Sequence, residues 1–163
     1  MSKTTLSKLN AIGLDRETSA QLAEVLNDLL ASYQVLYMNV RGFHWNIRGS
    51  RFFELHQKYE ELYTDLQDKV DELAERILTL NGQPLHSFVD YLERSRVQPV
   101  TGANAPETTL SGVLEALQVL LLQQRKALRQ ASELGDEGTV AILGEYIKQQ
   151  EKLVWMYGAV AAT

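Results

Sequence analysis

At 163 residues, with 45% hydrophobic residues and three prolines, the chain has the make-up of one compact domain, not of a disordered or multidomain protein. Sixteen basic against 21 acidic residues give a formal net charge of −5, a field that repels phosphate backbones, and the absence of cysteine excludes disulfide frameworks and thiolate metal sites. The longest aliphatic run, residues 119–122, is far too short to span a membrane, and the N-terminus lacks the apolar segment of a secretory signal, so a reducing cytoplasm is the expected setting.

Residues 1–14 read as a short N-terminal tail, and residues 15–163 as a single domain. Lys3 and Lys8 are the only basic residues of the tail, too few for a nucleic-acid-binding arm. Asp15 is the expected N-cap of a first helix over about 16–45, in which Leu22, Leu26, Leu29, Tyr33, Leu36, Val40 and Phe43 recur every three or four residues. Residues 46–50 carry a turn. A second helix follows over about 51–81, with Gly82 at its C-terminal cap and Pro84 just beyond. Residues 83–109 form a long connection with Pro84, Pro99 and Pro106, inside which Ser87 caps a short helix. A third helix is expected over about 111–134 and a fourth over about 137–158, the latter turning Val140, Leu143, Ile147, Leu153, Val154 and Tyr157 inward. No segment has strand periodicity. Two helical hairpins joined by one long crossover describe an all-α, ferritin-like four-helix bundle with a short helix in the crossover between the second and third helices.

The second helix divides into three stripes. At about 100° per residue, Phe52, Leu55, Tyr59, Leu62, Leu66, Val70, Leu73 and Ile77 share a core face. Lys58, Glu61, Asp65, Glu72 and Arg76 face water on the opposite side. On the remaining flank lie His56, Glu60, Thr64, Gln67, Asp71 and Glu75. His56 and Asp71 are metal ligands by type, yet they stand about 22 Å apart along one straight helix, too far for one ion. A second copy of the same helix, antiparallel across a two-fold axis, removes the difficulty. One register pairs His56 with Glu75 and Glu60 with Asp71, placing the axis between residues 65 and 66 and two equivalent sites roughly 20 Å apart.

His44, at the end of the first helix, can fold back near His56 through the turn. Two imidazoles and several carboxylates form a borderline-hard site suited to Fe(II), Zn(II) or Mn(II). The plainer reading treats the histidines as structural and the acidic face as solvated, with Asp65–Lys69 and Glu72–Arg76 pairs at i,i+4. The shared register of both ligand pairs brings the metal reading level with it. No histidine has a glutamate three residues before it, since Arg41, Phe53 and Gln83 occupy those places, which argues against an internal di-iron centre of the Glu-x-x-His kind.

The stretch "HWNIRGSRFFELHQKYEELYTDLQDKVDELAERI" resembles the signature of the Dps family, the DNA-binding proteins from starved cells: His-Trp-Asn, a glycine, Phe-x-x-Leu-His, then Asp-x-x-x-Glu-Arg. With the helix order and the crossover, the resemblance covers about residues 15–158. It implies a cytoplasmic dodecameric shell, nucleoid-associated in some relatives, that oxidises iron at sites shared across two-folds. By that resemblance His44, His56 and Glu60 belong to one subunit's share of a ferroxidase site, and Asp71 and Glu75 to its partner's. Many relatives have an aspartate at the position of Glu60, so whether its longer side chain ligates directly or stands behind a ligand is left open. Trp45 looks like the family tryptophan thought to take up stray oxidising equivalents; packing at the site's boundary is the alternative. His86, in the crossover, is not expected to ligate. Hydrogen peroxide, or otherwise O2, is the implied oxidant, and Fe(III) mineral the product stored in the cavity. Asp136 and Glu137 match the start of an acidic pore stretch in some relatives, although Gly138 and Ala141 stand where those relatives have further aspartates. Asp136 as a surface helix cap is the plainer reading.

DNA binding does not follow from the family name. Relatives that coat DNA carry a lysine-rich tail, which is absent here, and twelve such chains would total about −60, the wrong sign for phosphate attraction. The alternative readings are a nucleoid-organising DNA-binding shell with little catalysis, and a helical scaffold whose polar stripe is only a dimer interface.

Overall fold

The computed structural model describes residues 8–162. Half of the expected tail, residues 1–7 with Lys3, thus lies outside the described residues. From residue 8 onward the lead-in is tied down: Asn10, 8% exposed, accepts from the Ile12 and Leu14 amides and donates to Ser19 Oγ at 3.2 Å. Five helices follow: α1 (Arg16–Asn46), α2 (Phe52–Thr79), α3 (Phe88–Arg94), α4 (Pro106–Leu134) and α5 (Glu137–Ala161). Among the described residues the only β-pairing is an isolated bridge between Leu9 and Asp15, so the all-α expectation is met.

The capping chemistry explains the boundaries. Asp15 caps α1 by accepting from the Glu17 and Thr18 amides, and Ser87 caps α3 by accepting from Asp90, both as the sequence suggests. Three ends differ from expectation. α4 starts at Pro106, about five residues early, because proline's fixed φ and missing N–H suit the first helical position. α5 runs on to Ala161, and Arg51 Nη1 donates to the Val160 carbonyl at 2.9 Å in its last turn. α2 stops at Thr79, and Asn81, not Gly82, takes the left-handed conformation at φ 68°. The Asn81 amide bonds Leu78 O and the Gly82 amide bonds Ile77 O, a Schellman closure. Gly82 is needed for space: a Cβ there would stand 2.7 Å from Ala23 Cβ.

α1 and α2 form one hairpin, α4 and α5 the other, and α1 packs against both α4 and α3. The core stripe of α1 is buried throughout, as are Leu55, Tyr59, Leu62, Leu66, Leu73 and Ile77 of α2. Two buried asparagines of α1 fasten the crossover. Asn27 bonds Gln83 O and the Leu85 amide, while Asn39 bonds Gln98 O and the Val100 amide, so the backbone groups of an irregular segment are satisfied by side chains. Between α1, α4 and α5, Tyr33, Gln124 and Gln150 share a buried hydrogen-bonded triangle.

The face of α2 expected to be solvated is only partly so. Lys69 is 5% exposed, paired with Asp65 as expected and lying over the Tyr146 ring. The expected Glu72–Arg76 pair is absent. Glu72 accepts from the Tyr146 hydroxyl at 2.5 Å, and Arg76 reaches Asp136 at 2.5 Å and Thr139 Oγ1 at 2.9 Å. α5 supplies these partners, and nothing along α2 alone reveals them.

Candidate metal centre

His44 and His56 flank the chain reversal between α1 and α2. Buried Phe43 and Ile47 anchor the end of α1 in the core, Gly49 turns the chain at φ 106°, and Leu55 begins the buried stripe of α2. This brings the two imidazoles into a stack, with ring centroids 3.8 Å apart and planes 19° from parallel. His44 Nδ1 lies 2.7 Å from the His56 carbonyl, and His56 Nδ1 lies 2.9 Å from the His44 carbonyl. A carbonyl can only accept, so each Nδ1 carries the proton and donates. In the neutral ring this leaves the lone pair on Nε2, the tautomer in which histidine ligates a metal. The Phe52 ring stacks on His56 at 5.0 Å, and the Tyr63 ring meets His44 edge-on at 5.4 Å.

The carboxylates on the same flank of α2 are uncommitted. Glu60, Asp71 and Glu75 are exposed, and among the described residues none of their carboxylates forms an ion pair or hydrogen bond. Asp68 is likewise unpaired, on the adjoining surface. By contrast Glu54, Glu61, Asp65 and Glu72 all have partners. Within the described residues of one chain, no three histidine, aspartate or glutamate side chains are grouped so as to hold a metal ion. The structure therefore brings His44 and His56 together and leaves Glu60, Asp71 and Glu75 facing outward along α2.

Trp45 is 56% exposed beside the pair, under the Arg41 guanidinium at 4.8 Å, and it has no ring contact with either imidazole. Arg41 also lies 5.3 Å over the Tyr37 ring and donates to the Tyr37 hydroxyl at 3.1 Å; that hydroxyl in turn bonds Gln67 of α2. Tyr63 and Tyr37 are not singled out by the sequence reading as site neighbours, and Arg41 enters there only as the residue three before His44. Tyr63 follows His56 by seven residues, two helical turns, and that spacing is the signal that marks it as a neighbour. His86 is exposed and far along the chain from the pair, its Nδ1 3.3 Å from Pro84 O.

The two pore candidates have different surroundings. Asp136 is the N-cap of α5 but is not a surface cap: it is 3% exposed, bound by Arg76 and by the amide and hydroxyl of Thr139. Burial pushes its carboxyl up, but the Arg76 and Thr139 hydrogen bonds outweigh this and hold it below the ordinary carboxylate range. Gly138 leaves room for the guanidinium, since a Cβ there would stand 3.1 Å from it. Glu137 is exposed. A separate apolar groove of about 470 Å³ lies between α2 and α5, lined by Leu55, Leu62, Leu153, Met156 and Tyr157 among others and by no histidine. No helix among the described residues is long and apolar enough to cross a membrane.

Comparison with known proteins bears on the fold and the family. Residues 23–163 match the model of the ferritin-like domain. The chain is 44% identical over 153 residues to the DNA protection during starvation protein of Porphyromonas gingivalis, covering 94% of this chain and 96% of that one. A crystal structure of a Dps protein from Vibrio cholerae, described as a member of the ferritin-like diiron-carboxylate superfamily, superposes with a TM-score of 0.92 at 54% identity. It spans 93% of this chain and 96% of its own. A Dps protein from Bacillus brevis gives a TM-score of 0.85 at 35% identity, over 88% and 97% of the two chains.

Proposed function

This chain belongs to the Dps family of ferritin-like proteins, and from that premise we propose that it oxidises Fe(II) at sites shared between two-fold-related copies and stores the Fe(III) product. The observation that carries the reading is the reciprocal lock of His44 and His56, which ties up both Nδ1 atoms and leaves both Nε2 atoms at one end of the uncommitted Glu60, Asp71 and Glu75 stripe.

In this reading His44, His56 and Glu60 of one copy face Asp71 and Glu75 of the other, with the α2 helices antiparallel about residues 65 and 66. Iron is the substrate. Carboxylates and neutral imidazoles bind Fe(II) and favour Fe(III) once it forms, because anionic oxygen ligands gain most from the added charge. Hydrogen peroxide takes one electron from each of two Fe(II) ions and leaves as two hydroxides, so no radical is released. The oxidised iron then hydrolyses and collects inside a closed shell, a dodecamer by family analogy, with O2 the alternative oxidant. With Asp136 committed to Arg76, Glu137 is the acidic residue left to draw cations toward a pore.

Protection of DNA, which names the Porphyromonas relative, is here a consequence of removing iron and peroxide and not of contact with DNA: the formal charge of −5 per chain opposes that contact. Mixing the apo-protein with Fe(II) and peroxide tests the proposal. Fast oxidation and mineral loading are expected in the native protein and not in a His44→Ala/His56→Ala variant. Equal rates in both would reject it, and a gel shift on duplex DNA at physiological salt without Mg(II) would favour the nucleoid-organising alternative.

A further inference from the structure

The reaction proposed above needs two electrons for each peroxide, and an Fe(II) that meets peroxide alone supplies one. We propose, resting on that reading, that Tyr63 supplies the second: it is the one-electron donor built against the imidazole pair, and Trp45 is not.

The geometry singles out Tyr63 among the aromatic residues nearby. Its ring meets His44 edge-on at 5.4 Å, so it is in contact with the ligand pair. Tyr37 lies one ring further out, 6.2 Å from Tyr63, and Trp45 makes no ring contact with either histidine. Electron transfer falls off steeply with separation, so contact favours Tyr63. Charge favours it again. The Arg41 guanidinium lies 5.3 Å over Tyr37 and 4.8 Å over Trp45, and a cation on a π-face holds the ring's electrons more tightly. Both rings are thereby harder to oxidise, and Tyr63, over whose ring no cation lies among the described residues, becomes the place where an oxidising equivalent rests. Arg41 acts as a fence that keeps the equivalent beside the metal and away from the exposed indole.

The step balances. One Fe(II) gives an electron and the Tyr63 hydroxyl gives a hydrogen atom, so H2O2 becomes one water and one hydroxide, leaving Fe(III) and a tyrosyl radical. The next Fe(II) to arrive gives an electron which, with a proton from solvent, restores Tyr63. The sum is again two Fe(II) per peroxide, achieved with one iron present at a time and no free hydroxyl radical. Phe52, stacked on His56, cannot serve, because a phenyl ring lacks the hydroxyl hydrogen and is far harder to oxidise.

The experiment compares the native protein with Tyr63→Phe and Trp45→Phe. Each is loaded with one Fe(II) per histidine pair, mixed with excess peroxide, frozen within milliseconds and examined by electron paramagnetic resonance, with a parallel run in a hydroxyl-radical spin trap. Among the described residues the Tyr63 hydroxyl makes no hydrogen bond, so Tyr63→Phe should keep the native melting temperature. The expected result is a tyrosyl signal in the native protein and in Trp45→Phe, its loss in Tyr63→Phe, and a several-fold rise in trapped hydroxyl radical in that variant alone. A signal that survives in Tyr63→Phe, or that disappears in Trp45→Phe, would overturn the assignment. Iron oxidation in the native protein without any tyrosyl signal would overturn it while leaving the ferroxidase reading intact; no oxidation at all would overturn both.

Discussion

His44 and His56, twelve residues apart, each hold the other's backbone: His44 Nδ1 donates to the His56 carbonyl at 2.7 Å and His56 Nδ1 to the His44 carbonyl at 2.9 Å. The same two bonds brace the turn between α1 and α2 and set the tautomer of both rings. The turn is thus braced through one nitrogen of each imidazole, and the opposite nitrogen is the one left for the proposed ligation.

That division has a measurable consequence. Replacing either histidine by alanine removes one neutral hydrogen bond and should cost about 1 kcal/mol of stability, a modest shift in melting temperature. Fe(II) oxidation by peroxide should fall further, by about tenfold or more, since a ligand is lost together with the ring stacked on its neighbour. Stopped-flow absorbance at equal protein concentration compares the two effects. A variant that loses the stability but keeps the rate would make the pair structural only.

The two-fold arrangement predicts complementation between crippled chains. His44→Ala/His56→Ala and Asp71→Ala/Glu75→Ala should each be inactive alone. Unfolded together and reassembled at equal ratio, they should regain about a quarter of the native rate, because half of random pairs are mixed and each mixed pair holds one intact site. No recovery, in an assembly shown to contain both chains, would place the iron within a single polypeptide.

The Arg76–Asp136 pair should control acid stability at the junction of α2 and α5. Arg76→Met leaves a nearly buried carboxylate uncompensated, and a loss of about 3 kcal/mol is expected in denaturant unfolding. The folded carboxyl titrates below its ordinary value of 3.8. Its contribution is therefore complete above that value and disappears as pH falls through the lower folded one. Melting temperatures recorded from neutral pH downward should show the native protein and the variant converging only at the acidic end.

The end of α2 offers a paired test of backbone against packing. Asn81→Gly should be neutral or slightly stabilising, because glycine occupies the left-handed region without strain. Gly82→Ala should cost about 1–3 kcal/mol, because its methyl would meet Ala23 Cβ. Equal effects from both would mean that the conformation at residue 81 is not what ends the helix.

Much of the site was legible beforehand because a helix fixes the angular position of every side chain it carries. The flank bearing His56, Glu60, Asp71 and Glu75 follows from about 100° per residue alone. So does the nearness of Tyr63 to that flank, had that residue been placed on the same wheel. Arg76 could not be read this way. Both Glu72 and Asp136 were available to it, and only the approach of α5 decides between them.

By itself the sequence determined the local periodic features: the apolar stripes of the helices, the caps at Asp15 and Ser87, and the placement of ligand-type residues on a flank that one chain leaves uncovered. Tertiary structure alone decided what depends on groups distant in sequence. The crossed bonds of the histidines, the burial of Asp136 beneath Arg76, and the cation that separates Trp45 from Tyr63 in character are of this kind. The reason is physical: periodicity sets the direction in which a side chain points, whereas its partner is set by which other segment packs there.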